Sequence, residues 1–228
     1  MRSPQDSSTR PVALEKSLFR VHESRYLSRM HKTIGLILAG GRSTRMGGSD
    51  KAFVPLAGKT LLARAIERLA PQVDALAISS NAPAASFGDV GLPVIADVIA
   101  GFQGPLAGIH AGLAAYPEDY VLTVAVDLPF LPRDLAQQLQ TGLHNARCAY
   151  ASSGGRHALA LLWAPGMAAE VEIFLNQGGR SMKQWLAING APVNFSANSD
   201  SDILFNVNSP DDLRAAEQRL ALIARQDR

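Results

Sequence analysis

The chain has 228 residues, 47% of them hydrophobic, and a formal net charge of +2. That length and apolar content suit one α/β domain with a sizeable core and exclude a disordered or fibrous chain. A lone cysteine, Cys148, excludes a disulfide framework or thiolate metal cage and suits a reducing, cytoplasmic setting. No run reaches the ~18–20 apolar residues of a membrane helix, and no signal peptide can be assembled at the N-terminus.

The charge is unevenly divided. Residues 1–32 hold seven basic and three acidic groups, net +4, which leaves 15 basic and 17 acidic groups, net −2, in the other 196. A nearly neutral folded part does not indicate a nucleic-acid surface. Three readings compete for the basic leader, residues 1–32: a targeting peptide, an accessory or disordered tail, or a start assigned upstream of Met30. Arg and Ser enrichment favours targeting, and Asp6, Glu15 and Glu23 oppose it. The expectation is that translation starts at Met30 and that one domain covers residues 33–228.

From residue 33 short apolar runs alternate with amphipathic stretches, which predicts βαβ units and a mostly parallel sheet. The elements expected in order are a strand at 33–39, a helix from Thr60 to Leu69, and strands at Ala75–Ser79 and Pro93–Ala96. A helix from Pro105 to Tyr116 follows, with proline suited to its first turn. Tyr120–Val126 is a continuous apolar run, as a central parallel strand should be. Then come a helix near 132–143, strands at Cys148–Ser152 and Leu159–Trp163, and helices near 166–176 and 180–187. Pro192–Phe195 and Leu204–Val207 read as strands. Asn208-Ser209-Pro210 is expected to cap a last helix, 210–224.

The first strand runs straight into Gly40-Gly41 and the cationic loop Arg42-Ser43-Thr44-Arg45-Met46-Gly47-Gly48-Ser49-Asp50-Lys51. Glycines let backbone N–H groups approach oxyanions, and Arg45 and Lys51 can neutralise phosphate charge. The spacing is neither of the commoner phosphate motifs. Arg42 breaks G-x-G-x-x-G, and Phe53 stands where the first glycine of a P-loop ending in Gly58-Lys59-Thr60 belongs. In an open parallel sheet, ligands collect outside the carboxyl ends of the strands. The residues ending these strands are Gly40-Gly41, Ser79-Ser80-Asn81, Asp97 and Asp127. Asp127 closes a wholly apolar strand and is placed to hold Mg²⁺, which takes its other ligands from phosphates and water; the alternative is a turn or helix-capping aspartate. Asp97 can accept from a base or ribose, and Asn81 can pair with a base edge, although both are also ordinary turn residues.

Taken together, L-A-G-G-x-S-x-R-M-G (38–47), Lys51, G-P-L-A-G (104–108), D-x-P (127–129) and F-N-V-N-S-P (205–210) resemble the molybdenum cofactor guanylyltransferases, within the nucleotidyltransferase superfamily, from about Thr33 to Leu220. The resemblance implies a Rossmann-like three-layer α/β/α sandwich and Mg²⁺-dependent transfer of GMP from GTP to molybdopterin, with release of pyrophosphate. It also implies roles by position. Leu38, Ala39, Gly40 and Gly41 would line the guanine and phosphate site, Lys51 and Arg45 would meet phosphates, Asn81 and Asp97 would bind the nucleoside, and Asp127 would hold the metal. Asn206 and Asn208 match positions placed near the pterin or the metal; strand-end and N-cap roles are the alternative. The paired glycines after Leu38-Ala39, with G-P-L-A-G, resemble the guanylyl rather than the cytidylyl branch. His157-Ala158 departs from the His-Pro often found there, which leaves Ser153–His157 without a role. Transient contacts with other cofactor-biosynthesis proteins and apo-molybdoenzymes are expected; nucleic-acid and membrane partners are not.

A phosphate monoester is already a deprotonated nucleophile near neutral pH, so no general base is required, and positioning and charge stabilisation must carry the rate. The rivals are a cytidylyltransferase or sugar-1-phosphate nucleotidyltransferase on the same scaffold, and a non-catalytic adaptor that delivers the cofactor.

Overall fold

The computed structural model describes residues 31–40, 50–99, 101, 104–144, 146–197 and 202–226. Lys32–Arg228 form one compact unit. Among the described residues, nine strands and six α-helices follow one another: β1 (Thr33–Leu38), β2 (Pro55–Leu56), β3 (Lys59–Thr60), α1 (Leu61–Leu69), β4 (Ala75–Ser79), β5 (Val94–Ile95), α2 (Pro105–Ala115), β6 (Tyr120–Ala125), α3 (Leu135–Leu143), β7 (Cys148–Ser153), β8 (Arg156–Trp163), α4 (Ala168–Asn176), α5 (Met182–Asn189), β9 (Gly190–Asn194) and α6 (Pro210–Gln226).

Seven strands make the central sheet in the order β5-β4-β1-β6-β8-β7-β9. β5, β4, β1 and β6 are mutually parallel, β8 runs antiparallel to both β6 and β7, and β9 lies parallel to β7. The sheet is therefore mostly parallel, with one reversed strand that periodicity could not reveal, because a buried apolar run reads the same in either direction.

Two apolar cores cover its faces, as the period-2 alternation of strands requires. Ile37, Leu122 and Val124 point to one face and meet Leu61, Leu62, Ala65 and Leu69 of α1 and Leu135, Leu139 and Leu143 of α3. Leu36, Leu38 and Val121 point to the other and meet Leu106, Ile109 and Leu113 of α2, Val171 and Leu175 of α4, and Trp185 of α5. The result is a three-layer α/β/α sandwich. Each fully buried leucine of this kind contributes about 1.5–3 kcal/mol.

Local chemistry sets the element ends. The Thr60 hydroxyl accepts from the Ala63 N–H at 3.1 Å and caps α1. Gly104, at φ 130°, turns the chain into α2, and Pro105 occupies the first turn. α2 lies close on the sheet because Gly112 leaves no side chain there: a Cβ would sit 2.3 Å from Leu36 Cδ2. Gly108, nearer the start of α2, lies as close to Ser79 at the carboxyl end of β4.

The strand expected at Leu204–Val207 does not form. The Asp202 carboxylate accepts from the Leu204 N–H at 3.1 Å, and the Asp202 carbonyl accepts from the Phe205 N–H at 3.2 Å, so a side-chain-stabilised turn replaces the ladder. The segment then fastens to the sheet edge through one bond, Val207 N–H to the Asp127 carbonyl at 3.0 Å. The β2–β3 hairpin, the 3-10 turn Lys51–Phe53 and the 3-10 segment Ala84–Val90 carry too few residues to show periodicity.

Candidate functional site

Because β5, β4, β1 and β6 run parallel, their carboxyl ends share one edge. Leu38 ends β1, and its carbonyl accepts from the Val126 N–H at 3.2 Å, while the Ala39 N–H donates to the Ser79 carbonyl at 3.0 Å. Leu38 and Ala39 are buried, and Gly40 is exposed where the chain leaves the sheet. Gly41 and Arg45 lie outside the described residues. The chain returns at Asp50, whose carboxylate accepts from the Ala52 N–H at 3.1 Å and caps the 3-10 turn that carries Lys51. That cap sets the turn from which Lys51 reaches across the edge.

Lys51 Nζ donates to Asp127 Oδ2 and to Asn208 Oδ1, each at 2.7 Å. One ammonium thus ties together the loop after β1, the end of β6 and the segment before α6. The Lys51 and Asp127 side chains are 18% and 15% exposed, so water screens the pair only partly. The second Asp127 oxygen, Oδ1, is buried and has no hydrogen-bond partner. An orphaned, buried carboxylate oxygen at a strand end fits a hard divalent cation, which supplies the missing partner. Among the described residues no group of three or more His, Cys, Asp or Glu could hold a metal. An ion on Asp127 would therefore draw most of its ligands from phosphate oxygens and water.

Asn81 and Asp97 are brought together along the same edge. Asn81 Nδ2 donates to Asp97 Oδ2 at 3.0 Å, and the Asp97 N–H donates to Asn81 Oδ1 at 2.8 Å. The amide expected to face a base is turned to Asp97, so the two residues act as one rigid unit. Gly108 of α2 packs beside it: a Cβ there would lie 2.3 Å from Ser79 Oγ and 3.4 Å from Asp97 Oδ1. Its glycine leaves room for the Ser79 hydroxyl and brings the helix to within contact of that carboxylate.

Of Asn208-Ser209-Pro210, the residues expected to cap α6, Asn208 does not supply the capping side chain. Ser209 does: its hydroxyl accepts from the Asp212 N–H at 3.2 Å, while Asp212 Oδ2 accepts from Ser209 Oγ at 2.8 Å and from the Asn208 N–H at 2.9 Å. This is the reciprocal S-x-x-D form of the capping box, legible at Ser209–Asp212 though it went unread. Those bonds, the Ser209 hydroxyl first, hold the Asp212 carboxyl below the usual carboxylate range. With the backbone satisfied by Ser209 and Asp212, the Asn208 side chain is left to meet Lys51.

Asn206 and Asn208 line a cavity of about 600 Å³ together with Arg156, His157, Phe205 and Asp212. That is the volume of a typical small-molecule site. Arg156 and His157, which had no assigned role, line it from the start of β8, just after the turn in which Gly154 and Gly155 have positive φ. In Gly178-Gly179-Arg180-Ser181, Arg180 donates to the carbonyls of Leu175 and Gly179, each at 2.7 Å. Burial raises the Cys148 thiol well above its ordinary value, so it is no nucleophile.

A mostly parallel sheet whose carboxyl edge gathers a lysine, a lone carboxylate and a nucleoside-sized pair beside a cavity defines a nucleotidyltransferase. A family model, the MobA-like NTP transferase domain, matches residues 35–193. The molybdenum cofactor guanylyltransferase of Yersinia pestis is 41% identical over 187 residues, 81% of this chain and 95% of that protein. The chain belongs to the MobA-like NTP transferase family. In fold it is similar to molybdopterin-guanine dinucleotide biosynthesis protein A from Archaeoglobus fulgidus, with TM-score 0.69 and 24% identity over 83% of this chain and 99% of the other. A 4-diphosphocytidyl-2C-methyl-D-erythritol synthase from Anaerococcus prevotii shares the fold at TM-score 0.64 and 12% identity, covering 84% of this chain and 96% of its own.

Proposed function

We infer that the chain is a molybdenum cofactor guanylyltransferase: it transfers GMP from GTP to the phosphate of molybdopterin and releases pyrophosphate. The observation that carries this reading is the meeting of Lys51, Asp127 and Asn208 at 2.7 Å beside an acceptor-sized cavity, in a chain 41% identical to a guanylyltransferase.

The reaction forms a bond between an acceptor phosphate oxygen and the α-phosphorus of GTP and breaks the bond from that phosphorus to the bridging oxygen. The acceptor oxygen is already anionic, so no residue has to remove a proton. The Asn81–Asp97 unit holds the nucleoside, with Asp97 accepting from base or ribose. Gly40 and Gly41 leave the backbone open to phosphate, and Lys51 and Arg45 offset the charge that grows on the transferring and leaving oxygens. Asn206 and Asn208 hold the acceptor. Asp127 would hold a magnesium ion, which supplies Lewis-acid neutralisation of the phosphates when bound. We assign the work to the cytoplasm, with transient contacts to proteins that supply the pterin and receive the product; no helix among the described residues is long and apolar enough to cross a membrane.

Pyrophosphate release from GTP, CTP or UTP with molybdopterin and magnesium tests the reading. Turnover with GTP and its loss in Asp127→Ala, with the melting curve retained, is expected. Turnover with CTP but not GTP refutes the guanine assignment; full activity of Asp127→Ala refutes the metal assignment.

A further inference from the structure

Lys51 holds one oxygen of the carboxylate that a divalent ion at Asp127 has to claim. Its ammonium takes Asp127 Oδ2 and Asn208 Oδ1 at the same 2.7 Å, while Asp127 Oδ1 is buried and without a partner. A cation that binds this carboxylate meets an ammonium already seated on its other oxygen, and two like charges on one carboxylate repel. The three groups rest on short, separately anchored segments: Asp50 caps the turn of Lys51, Val207 pins the Asp127 backbone, and Ser209 with Asp212 fixes Asn208. None of these backbones has to shift for the ammonium to leave. The four-carbon lysine stem carries a mobile point charge, unlike the rigid fork of arginine.

We propose that Lys51 is a resident counter-ion: it neutralises Asp127 until a nucleoside triphosphate draws it onto its phosphates, and Asp127 then passes to the divalent ion. The proposal rests on the reading of Asp127 as the carboxylate that holds the metal. The ion and the lysine compete for Asp127 when no triphosphate is bound and cooperate once it supplies negative charge for both. Metal therefore enters with the nucleotide rather than ahead of it. Asn208, which lines the cavity and holds the same ammonium, lets an acceptor that engages its side chain loosen the lysine from the other end.

The test is binding of Mn²⁺ to the full chain, read by the paramagnetic resonance of the free ion, with and without GTP. Wild type should bind Mn²⁺ alone weakly and tighten on addition of GTP. A neighbouring opposite charge changes a carboxylate's proton affinity about 10- to 1,000-fold. Lys51→Met and Lys51→Gln should therefore bind Mn²⁺ alone at least about tenfold more tightly than wild type, and their further gain from GTP should shrink. Asp127→Asn should lose the site in either background, and circular dichroism melts check that each variant folds. If wild type recruits Mn²⁺ with GTP but both folded Lys51 variants bind Mn²⁺ alone no better than wild type, the counter-ion role is wrong. If GTP recruits no Mn²⁺ to wild type, the metal reading itself fails and the proposal falls with it.

Discussion

Gly108→Ala separates stability from nucleotide binding. The new Cβ would lie 2.3 Å from Ser79 Oγ, 3.5 Å from Ser79 Cβ and 3.4 Å from Asp97 Oδ1. Only the first distance is impossible, and it is relieved by rotating one hydroxyl about a single bond. A strained or altered rotamer costs about 0.5–1.5 kcal/mol. Replacing a helix-interior glycine by alanine returns about 0.8–1 kcal/mol. The two nearly offset, so stability should move by less than about 1 kcal/mol, and the melting temperature by no more than about 2–4 °C for a domain of this size. The methyl stays against Asp97 Oδ1 and covers the carboxylate oxygen on that side. Losing one hydrogen bond to a charged acceptor costs about 1.5–3 kcal/mol, a weakening of about 10- to 150-fold in GTP affinity. Thermal melts and calorimetric titration with GTP measure the two quantities on the same sample. Unchanged GTP affinity with an unchanged melt would show that Asp97 does not face the nucleotide. A melt lowered by more than about 3 kcal/mol would show that Ser79 cannot move aside.

Two further outcomes follow from the same geometry. Asn81→Leu removes both hydrogen bonds that orient Asp97, so the KM for GTP should rise about tenfold or more while kcat stays within about twofold, because the change lies on the nucleoside rather than at the transferring phosphate; steady-state kinetics showing the reverse split would move Asn81 to the transfer step. Asp212→Asn tests the α6 cap through pH. The folded carboxyl titrates below its unfolded value of about 3.9, so its stabilisation is present above about pH 4 and disappears as pH falls through the folded value. The variant should melt below wild type near neutrality, with the gap closing under acid; a gap independent of pH would remove Asp212 from the cap.

What was legible in the chain follows from how local each feature is. β1, α1, α2 and β6 are long enough for period and end signals to agree, and Asp127 stood out because it terminates an unbroken apolar run. Leu204–Val207 misled because its apolar, strand-favouring content is real, but the Asp202 side chain two residues before Leu204 supplies a competing partner for the backbone. Which residue of Asn208-Ser209 caps α6 is not legible locally, because Asn and Ser are both good caps and adjacency does not say which one closes the helix. The Lys51–Asn208 bond spans 157 residues, and no local pattern encodes it. It emerges only when the sheet brings the end of β6 between the two. Gly41 and Arg45 lie outside the described residues, so the phosphate loop itself stands on sequence.

The division of labour along the edge has a consequence for specificity. In the proposed reading the transfer centre is Lys51 and Asp127, each set by its own backbone device, a capped 3-10 turn and a strand end pinned through Val207. The nucleoside unit is Asn81 and Asp97, set by β4, β5 and the close packing of Gly108. Among the described residues no hydrogen bond joins the two groups, so on that reading exchanging one nucleotide base for another requires rebuilding only the second. On that reading, selection among nucleotides falls to residues 81, 97 and 108 rather than to the lysine, where every nucleoside triphosphate presents the same charge.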